Sequence, residues 1–174
     1  MTAGVAFEDR IRDVADFPRP GITFKDITPL LADPVVFAAV VASLAGPFMG
    51  RVDKVVGIEA RGFMVATPVA QLLGTGFVPV RKPGKLPGPV QSESYELEYG
   101  SDALEIHSDA LVGGERVLVV DDVIATGGTA VATARLVESL GAKVVGLGFV
   151  IELEFLDGRR QLEGYEVLSL VTYA

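Results

Sequence analysis

Two adjacent carboxylates, Asp121 and Asp122, follow the strongest strand signal in the chain, Val117-Leu118-Val119-Val120. Behind them come small residues, Ala125-Thr126-Gly127-Gly128-Thr129, and then Ala130, Ala134, Val137 and Leu140 at helical spacing. A strand that is apolar on both faces belongs in the middle of a covered parallel sheet. In open α/β sheets, ligands bind beyond the carboxyl ends of the strands. A glycine-rich loop at a helix N-terminus offers an anion backbone N–H groups and the positive end of a dipole, and Thr126 and Thr129 add hydroxyls. The arrangement suits a phosphomonoester, with two carboxylates beside it for sugar hydroxyls or for the waters of a metal ion. Asp-Asp alone is often a capping turn and Gly-Gly alone a tight turn; the ordered string from Val117 to Thr129 carries the argument. Neither Gly-x-x-x-x-Gly-Lys nor a complete Gly-x-Gly-x-x-Gly occurs, so a nucleoside-triphosphate loop and a dinucleotide fingerprint are both missing.

Other polar residues fall where they could serve the same edge. Glu59-Ala60-Arg61 follows the β-branched run Lys54–Ile58. Arg81, Lys82 and Lys85 place three cations within five residues, a pattern that by itself reads as a solvated basic loop. The single histidine, His107, sits in a strand-like run from Leu104 and reads as a surface or sheet residue.

The elements that must position these groups alternate. A short helix is expected over Val5–Val14, ending at the rigid loop Asp16–Gly21. Asp33 reads as an N-cap with Pro34 at the first helical position, and the helix runs to about Leu44. Strands are expected at Lys54–Ile58, Gly76–Val80, Arg116–Val120, Val144–Ile151 and Glu166–Val171. A helix with Phe63, Ala66, Ala70 and Leu73 on its buried face follows Arg61-Gly62, with Pro68 predicting a kink or a late start. A short helix is expected near Glu154–Leu162. Strands alternating with helices give an α/β fold with a mostly parallel central sheet flanked by helices. Two stretches break the pattern: residues 1–32, and a Gly/Pro-rich then polar stretch from Arg81 that is long enough to be a lid or β-flap.

The string from Val117 to Thr129 resembles the phosphoribosyl-diphosphate motif of the type I phosphoribosyltransferases. The resemblance extends over nearly the whole chain to the adenine-using branch of that family, through Phe17–Leu30, Gly57–Phe63, Val80–Gly88 and Tyr95–Gly100. It implies one domain over 1–174, with a hood at 1–32 and a flexible lid at 82–109. It also implies the substrates adenine and phosphoribosyl diphosphate (PRPP), the products AMP and diphosphate, a Mg²⁺ cofactor and a homodimer.

By resemblance, Ala125, Thr126, Gly127, Gly128 and Thr129 hold the 5′-phosphate, and Asp121 and Asp122 the ribose hydroxyls. Glu59, Ala60 and Arg61 form the diphosphate loop, joined by Arg81, Lys82, Lys85 and Tyr99. Glu98 is the proton-handling carboxylate at the adenine ring, so the implied catalytic set is Glu98, Asp121, Asp122 and Arg61. Adenine falls to Thr23, Phe24, Lys25 and Leu153, with Phe24 stacking on the purine. The chain departs from the family at Thr23, where an apolar residue is frequent, and at Lys25, where Arg is frequent; a lysine cannot reproduce a planar arginine contact. No residue is expected to ligate the metal directly, because Mg²⁺ keeps waters and substrate oxygens around it.

Composition bounds the reading. The chain has 174 residues, 49 % of them hydrophobic and 22 % charged, with a net charge of −8. That surplus of acid argues against a nucleic-acid partner. No Cys and one His exclude disulfides, a zinc-thiolate site and a thiol nucleophile. No apolar run approaches a membrane span, and Glu8, Asp9 and Arg10 follow too soon for a secretory leader; a cytoplasmic protein is expected. The charge is uneven: Gln91 to Asp109 holds six acids and no Lys or Arg. Two alternatives stand beside the main reading. One is transfer to a 6-oxopurine or orotate, against which the Phe-Pro-x-Pro-Gly opening of the hood speaks. The other is a nucleotide-binding regulator without turnover, against which the charge and the lack of a winged-helix segment speak.

Overall fold

The computed structural model describes residues 6–96 and 101–174. A 3₁₀ turn at Phe7–Arg10 leads into β1 (Arg12–Val14), which pairs antiparallel with β2 (Phe24–Asp26). The helix expected over Val5–Val14 is therefore replaced. Pairing with β2 and the Arg12–Asp26 ion pair (2.6 Å) outweigh the local helical spacing, as tertiary contacts commonly do for short segments. Helix α1 (Thr28–Ala32) and helix α2 (Pro34–Ala45) follow. Asp33 caps α2 as expected, accepting from the N–H groups of Val35 (3.0 Å) and Val36 (3.2 Å), a contact of about 1 kcal/mol in such caps.

The chain then lays down β3 (Lys54–Ile58), α3 (Arg61–Leu73) and β4 (Gly76–Val80). Helix α3 runs through Pro68 without a late start. A hairpin follows, β5 (Val90–Glu96) and β6 (Ser101–His107). Next come β7 (Arg116–Ile124), α4 (Gly128–Ser139), β8 (Lys143–Leu153) and β9 (Val167–Tyr173). The expected helix over Glu154–Leu162 is instead two 3₁₀ turns, Glu154–Leu156 and Gly158–Leu162, joined at Asp157 with φ 53°. A residue in the left-handed region cannot continue a right-handed helix.

The central sheet has the order β4-β3-β7-β8-β9, and every neighbouring pair is parallel. Alternate residues of β7 feed two cores. Val117 and Val119 pack with α4 and with Leu104 and Ile106 of β6. Leu118 and Val120 pack with α2 and α3. The expected lid, 82–109, is thus a hairpin whose return strand is built into the core on one side, with Arg81 bridging Glu105 in antiparallel fashion. Glu98 and Tyr99 lie outside the described residues. His107 stands in β6, as expected, with Nε2 2.9 Å from the Pro87 carbonyl.

The sequence places the end of the central strand at Val120, yet β7 continues to Ile124. Its pairing with β3 stops at Val120, and beyond that it is held by β8 alone. Asp121 and Asp122 therefore sit on a strand that has outrun one neighbour, beside an opening in the sheet.

Candidate active site

That opening is a cavity of about 320 Å³. The turn after β3 contributes Glu59, Ala60 and Arg61, and β7 contributes Asp121, Asp122 and Val123. The loop into α4 gives Ala125, Thr126, Gly127 and Thr129; the basic loop gives Lys82 and the hairpin Tyr95 and Asp102. Segments far apart in sequence thus meet as the motifs require. Gly128 starts α4 just behind the lining, and neither Arg81 nor Lys85 lines the cavity.

Two helices begin at the cavity. Neither α3 nor α4 has a side-chain cap, whereas α2, which begins elsewhere, does. The first N–H groups of a helix have no partner inside it, so both cavity-facing starts keep donors for a ligand. Gly127, at φ 87°, allows the loop to turn into α4. Gly62 serves a different end: a Cβ there would lie 2.6 Å from Asp121 Oδ1, so only glycine lets the carboxylate sit against the start of α3.

Both carboxylates are buried, Asp121 at 8 % exposure and Asp122 at 4 %. Asp121 Oδ1 accepts from the Asp122 N–H at 2.9 Å. Asp122 Oδ2 lies 3.0 Å from Arg61 Nε, but the contact is poorly aligned and the oxygen accepts no hydrogen bond. Burial drives the Asp121 carboxyl well above the usual carboxylate range, and the neighbouring Asp122 charge adds to it. Burial also raises Asp122, against the pull of Arg61. The pair therefore holds a proton more tightly than two exposed carboxylates would.

Three of the basic groups are matched to acids. Arg61 faces Asp122, Arg81 Nε meets Glu59 Oε2 at 3.1 Å, and Lys82 Nζ bonds Asp102 and, at 2.7 Å, the Tyr95 hydroxyl. Glu59 also accepts from the Lys82 N–H at 3.0 Å. Burial pushes its carboxyl up, but these bonds outweigh burial and leave it below its ordinary value. Glu59 thus clasps the basic loop to the end of β3, and Arg81 Nη1 donates to the Lys85 carbonyl at 3.0 Å. Tyr95 and Asp102 were not singled out by sequence; only pairing of the hairpin opposite Lys82 brings them in.

A second cavity, about 750 Å³, adjoins the first and shares Thr126 with it. Thr23, Lys25 and Leu153, expected at the base, all line it, with Ile22, Phe155 and Tyr173. Lys25 Nζ is 2.7 Å from Asp13 Oδ1 and 3.8 Å from the centre of the Tyr173 ring. Phe24 is not brought into this cavity. Its ring lies 4.8 Å from the Arg61 guanidinium and 5.2 Å, edge-on, from Phe17. No sequence signal marks Tyr173, which enters because β9 pairs Tyr173 with Leu153.

The match to known proteins is extensive. Residues 28–166 fit the phosphoribosyl transferase domain. An adenine phosphoribosyltransferase of Desulfitobacterium hafniense is 58 % identical over 168 residues, covering 96 % of this chain and 97 % of that protein. The chain belongs to the adenine phosphoribosyltransferase family. Solved members of that family share its fold. The enzyme of Thermoanaerobacter pseudethanolicus superposes with a TM-score of 0.93 at 52 % identity, covering 96 % of this chain and 98 % of that one. The Saccharomyces cerevisiae enzyme, complexed with D-2,5-dideoxy-2,5-imino-altritol 1,6-bisphosphate and adenine, gives 0.90 at 41 % identity, covering 94 % and 96 %. The type I phosphoribosyltransferase fold expected from sequence is the fold observed.

Proposed function

We propose that the two cavities divide one reaction between them: transfer of the phosphoribosyl group of PRPP to adenine, giving AMP and diphosphate, a purine-salvage step. The observation that carries this division is Thr126, which lines both cavities. A phosphoribosyl group on the loop then presents its anomeric carbon toward the hood. There the carbon–diphosphate bond breaks as the bond to the base nitrogen forms.

Ala125 to Thr129 receive the 5′-phosphate at the uncapped start of α4. Asp121 and Asp122 hold the ribose hydroxyls and balance positive charge on the sugar as an oxocarbenium-like transition state develops. The Glu59-Ala60-Arg61 turn and Lys82 take the diphosphate, Arg81 joins them once the anion displaces Glu59, and Lys85 reaches in from the same loop. The proton released by the base goes to Glu98. The reading of Glu98 rests on family resemblance, and Glu98→Ala is expected to lower turnover more than it weakens binding. The lid shields the activated sugar from water.

Mg²⁺ fits this site. The donors are oxygens, and one buried Asp122 oxygen accepts no hydrogen bond. Asp121 and Asp122 would hold the ion through its waters. Bound there, it supplies charge neutralisation for the leaving diphosphate.

A homodimer is proposed with it; the groove between α2 and α3, lined by Phe37, Val41, Pro68 and Leu72, offers an apolar face for a second copy, and sedimentation velocity tests it. Among the described residues no helix is long and apolar enough to cross a membrane, and a cytoplasmic location is proposed. The deciding experiment is a spectrophotometric assay with adenine, hypoxanthine, guanine and orotate. Strong preference for adenine is expected; equal rates with hypoxanthine would sink the assignment.

A further inference from the structure

The segment from Glu152 to Gln161 walls one cavity and packs on the loop that lines the other. Leu153, Phe155 and Leu156 wall the one assigned to the base. Gly158 and Gln161 reach the phosphate loop of the other. Gln161 Nε2 donates to the Thr126 carbonyl at 2.7 Å. The Gly158 backbone lies so close to the loop that a Cβ added there would stand 2.8 Å from Gly127 N and nearer still to the Ala125 carbonyl. A Cβ on Gly127 would in turn stand 2.5 Å from the Gly158 carbonyl. Two glycines from distant segments thus meet backbone to backbone.

The segment has little regular structure to hold its shape, only two 3₁₀ turns joined at Asp157. Arg159 supplies the missing rigidity. Its Nε and Nη2 take both oxygens of the buried Glu152 carboxylate, Nη2 also reaches Ser169 Oγ at 3.2 Å, and Nη1 donates to the Val167 carbonyl at 3.1 Å. Only Glu152 is buried, the Arg159 side chain being about half exposed, and such a pair adds little net stability. What it adds is direction: a planar, two-point grip between the end of β8 and the turn that abuts the loop.

We propose that Gln161 is a positioning residue for the ribose phosphate and Arg159 a positioning residue for both substrates. Gln161 grips the Thr126 carbonyl and so fixes the Thr126–Gly127 peptide plane, and with it the direction of the Gly127 N–H. Arg159, clamped to Glu152, makes the segment a rigid strap, so that the phosphate loop and the wall of the base cavity are set by one device. The inference rests on the assignment of ribose phosphate and adenine to the two cavities.

Calorimetric titration of ribose 5-phosphate and of adenine, separately, into wild type, Gln161→Met and Arg159→Lys tests it. Gln161→Met is expected to weaken ribose 5-phosphate about tenfold, the worth of one good hydrogen bond, and to leave adenine within about twofold. Arg159→Lys is expected to weaken both ligands by about threefold or more, since lysine cannot make the two-point grip. A merely structural role would lower the melting temperature and leave both affinities within twofold, which overturns the proposal. A Gln161 effect without an Arg159 effect overturns the strap. If Arg159→Lys fails to fold, Glu152→Gln is measured in its place. Wild-type protein that binds neither ligand would overturn the cavity assignment itself, and the inference with it.

Discussion

The two ends of the parallel sheet use the same side chains to opposite effect. At the edge where the strands begin, Asp53 takes Arg116 in a two-point grip, with Nη2–Oδ1 at 2.7 Å and Nε–Oδ2 at 3.0 Å, and accepts the Arg116 N–H as well. Arg51 and Glu166 pair nearby at 2.6 Å. Hydrogen bonds from Arg116, side chain first and then backbone, pull the Asp53 carboxyl down to about 2. At the edge where the strands end, Asp122 meets Arg61 out of line, and burial raises both carboxylates. One end satisfies its charges in water and ties strands together. The other withholds partners from buried charges. Groups kept short of partners in the free protein are groups that a ligand can satisfy.

Changes at the two ends should therefore separate activity from stability. The largest effect is expected from Asp121→Ala combined with Asp122→Ala. Turnover should fall about a thousandfold, the scale of lost charge stabilisation in a buried site, with the circular dichroism spectrum intact. Asp53→Ala at the other end should leave turnover within about twofold, ordinary for a surface change away from the site. Wild-type turnover in the double variant would erase the distinction.

Lys82→Ala should raise the KM for PRPP about tenfold, as expected for one charge-assisted contact. It should leave the KM for adenine nearly unchanged, and Arg51→Ala should move neither. The comparison would blur if Lys82→Ala moved the adenine value alone.

Stability should respond with opposite signs. Asp121→Asn removes a carboxyl whose ionised form burial penalises and is expected to raise the melting temperature at neutral pH, while Asp53→Asn lowers it. The pH dependence sharpens the contrast. Asp121 has a folded value above its unfolded one, so protonation favours the fold; wild type gains on Asp121→Asn as pH falls through the raised value. Asp53 has a folded value below its unfolded one. Its contribution is present above about 4, the unfolded range, and fades as pH falls toward about 2, so wild type and Asp53→Asn converge in acid. Differential scanning calorimetry of the three proteins from neutral pH downward reads both slopes. The smallest effect is salt. Exposed Asp53–Arg116 should weaken modestly in high salt, and the buried pair should be nearly indifferent.

The legibility of the molecule follows the same division. The strand and helix order could be read because β3, α3, β7 and α4 each carry their own periodicity. The phosphate loop could be read because one contiguous segment holds it. Strand β1 could not, since three residues show no period and only the partner β2 defines them. The run of β7 past Val120 was hidden because aspartates signal a turn, while the register with β8 overrides them. The base cavity was legible only in part. Thr23 and Lys25 fall within Phe17–Leu30 and Leu153 at a strand end, but Tyr173 enters through the pairing of two strands. Phe24, expected to stack on the purine, has its ring against the Arg61 guanidinium.

The mutual approach of Gly127 and Gly158 also bears on how such a sequence can vary. Each position excludes every side chain because of the other's backbone, not because of the other's side chain. No second change can compensate for a first, since there is no atom left on either residue to remove. The two positions should therefore stay fixed together while their neighbours drift, and a distant relative that has lost either glycine should have lost this geometry of the loop as well.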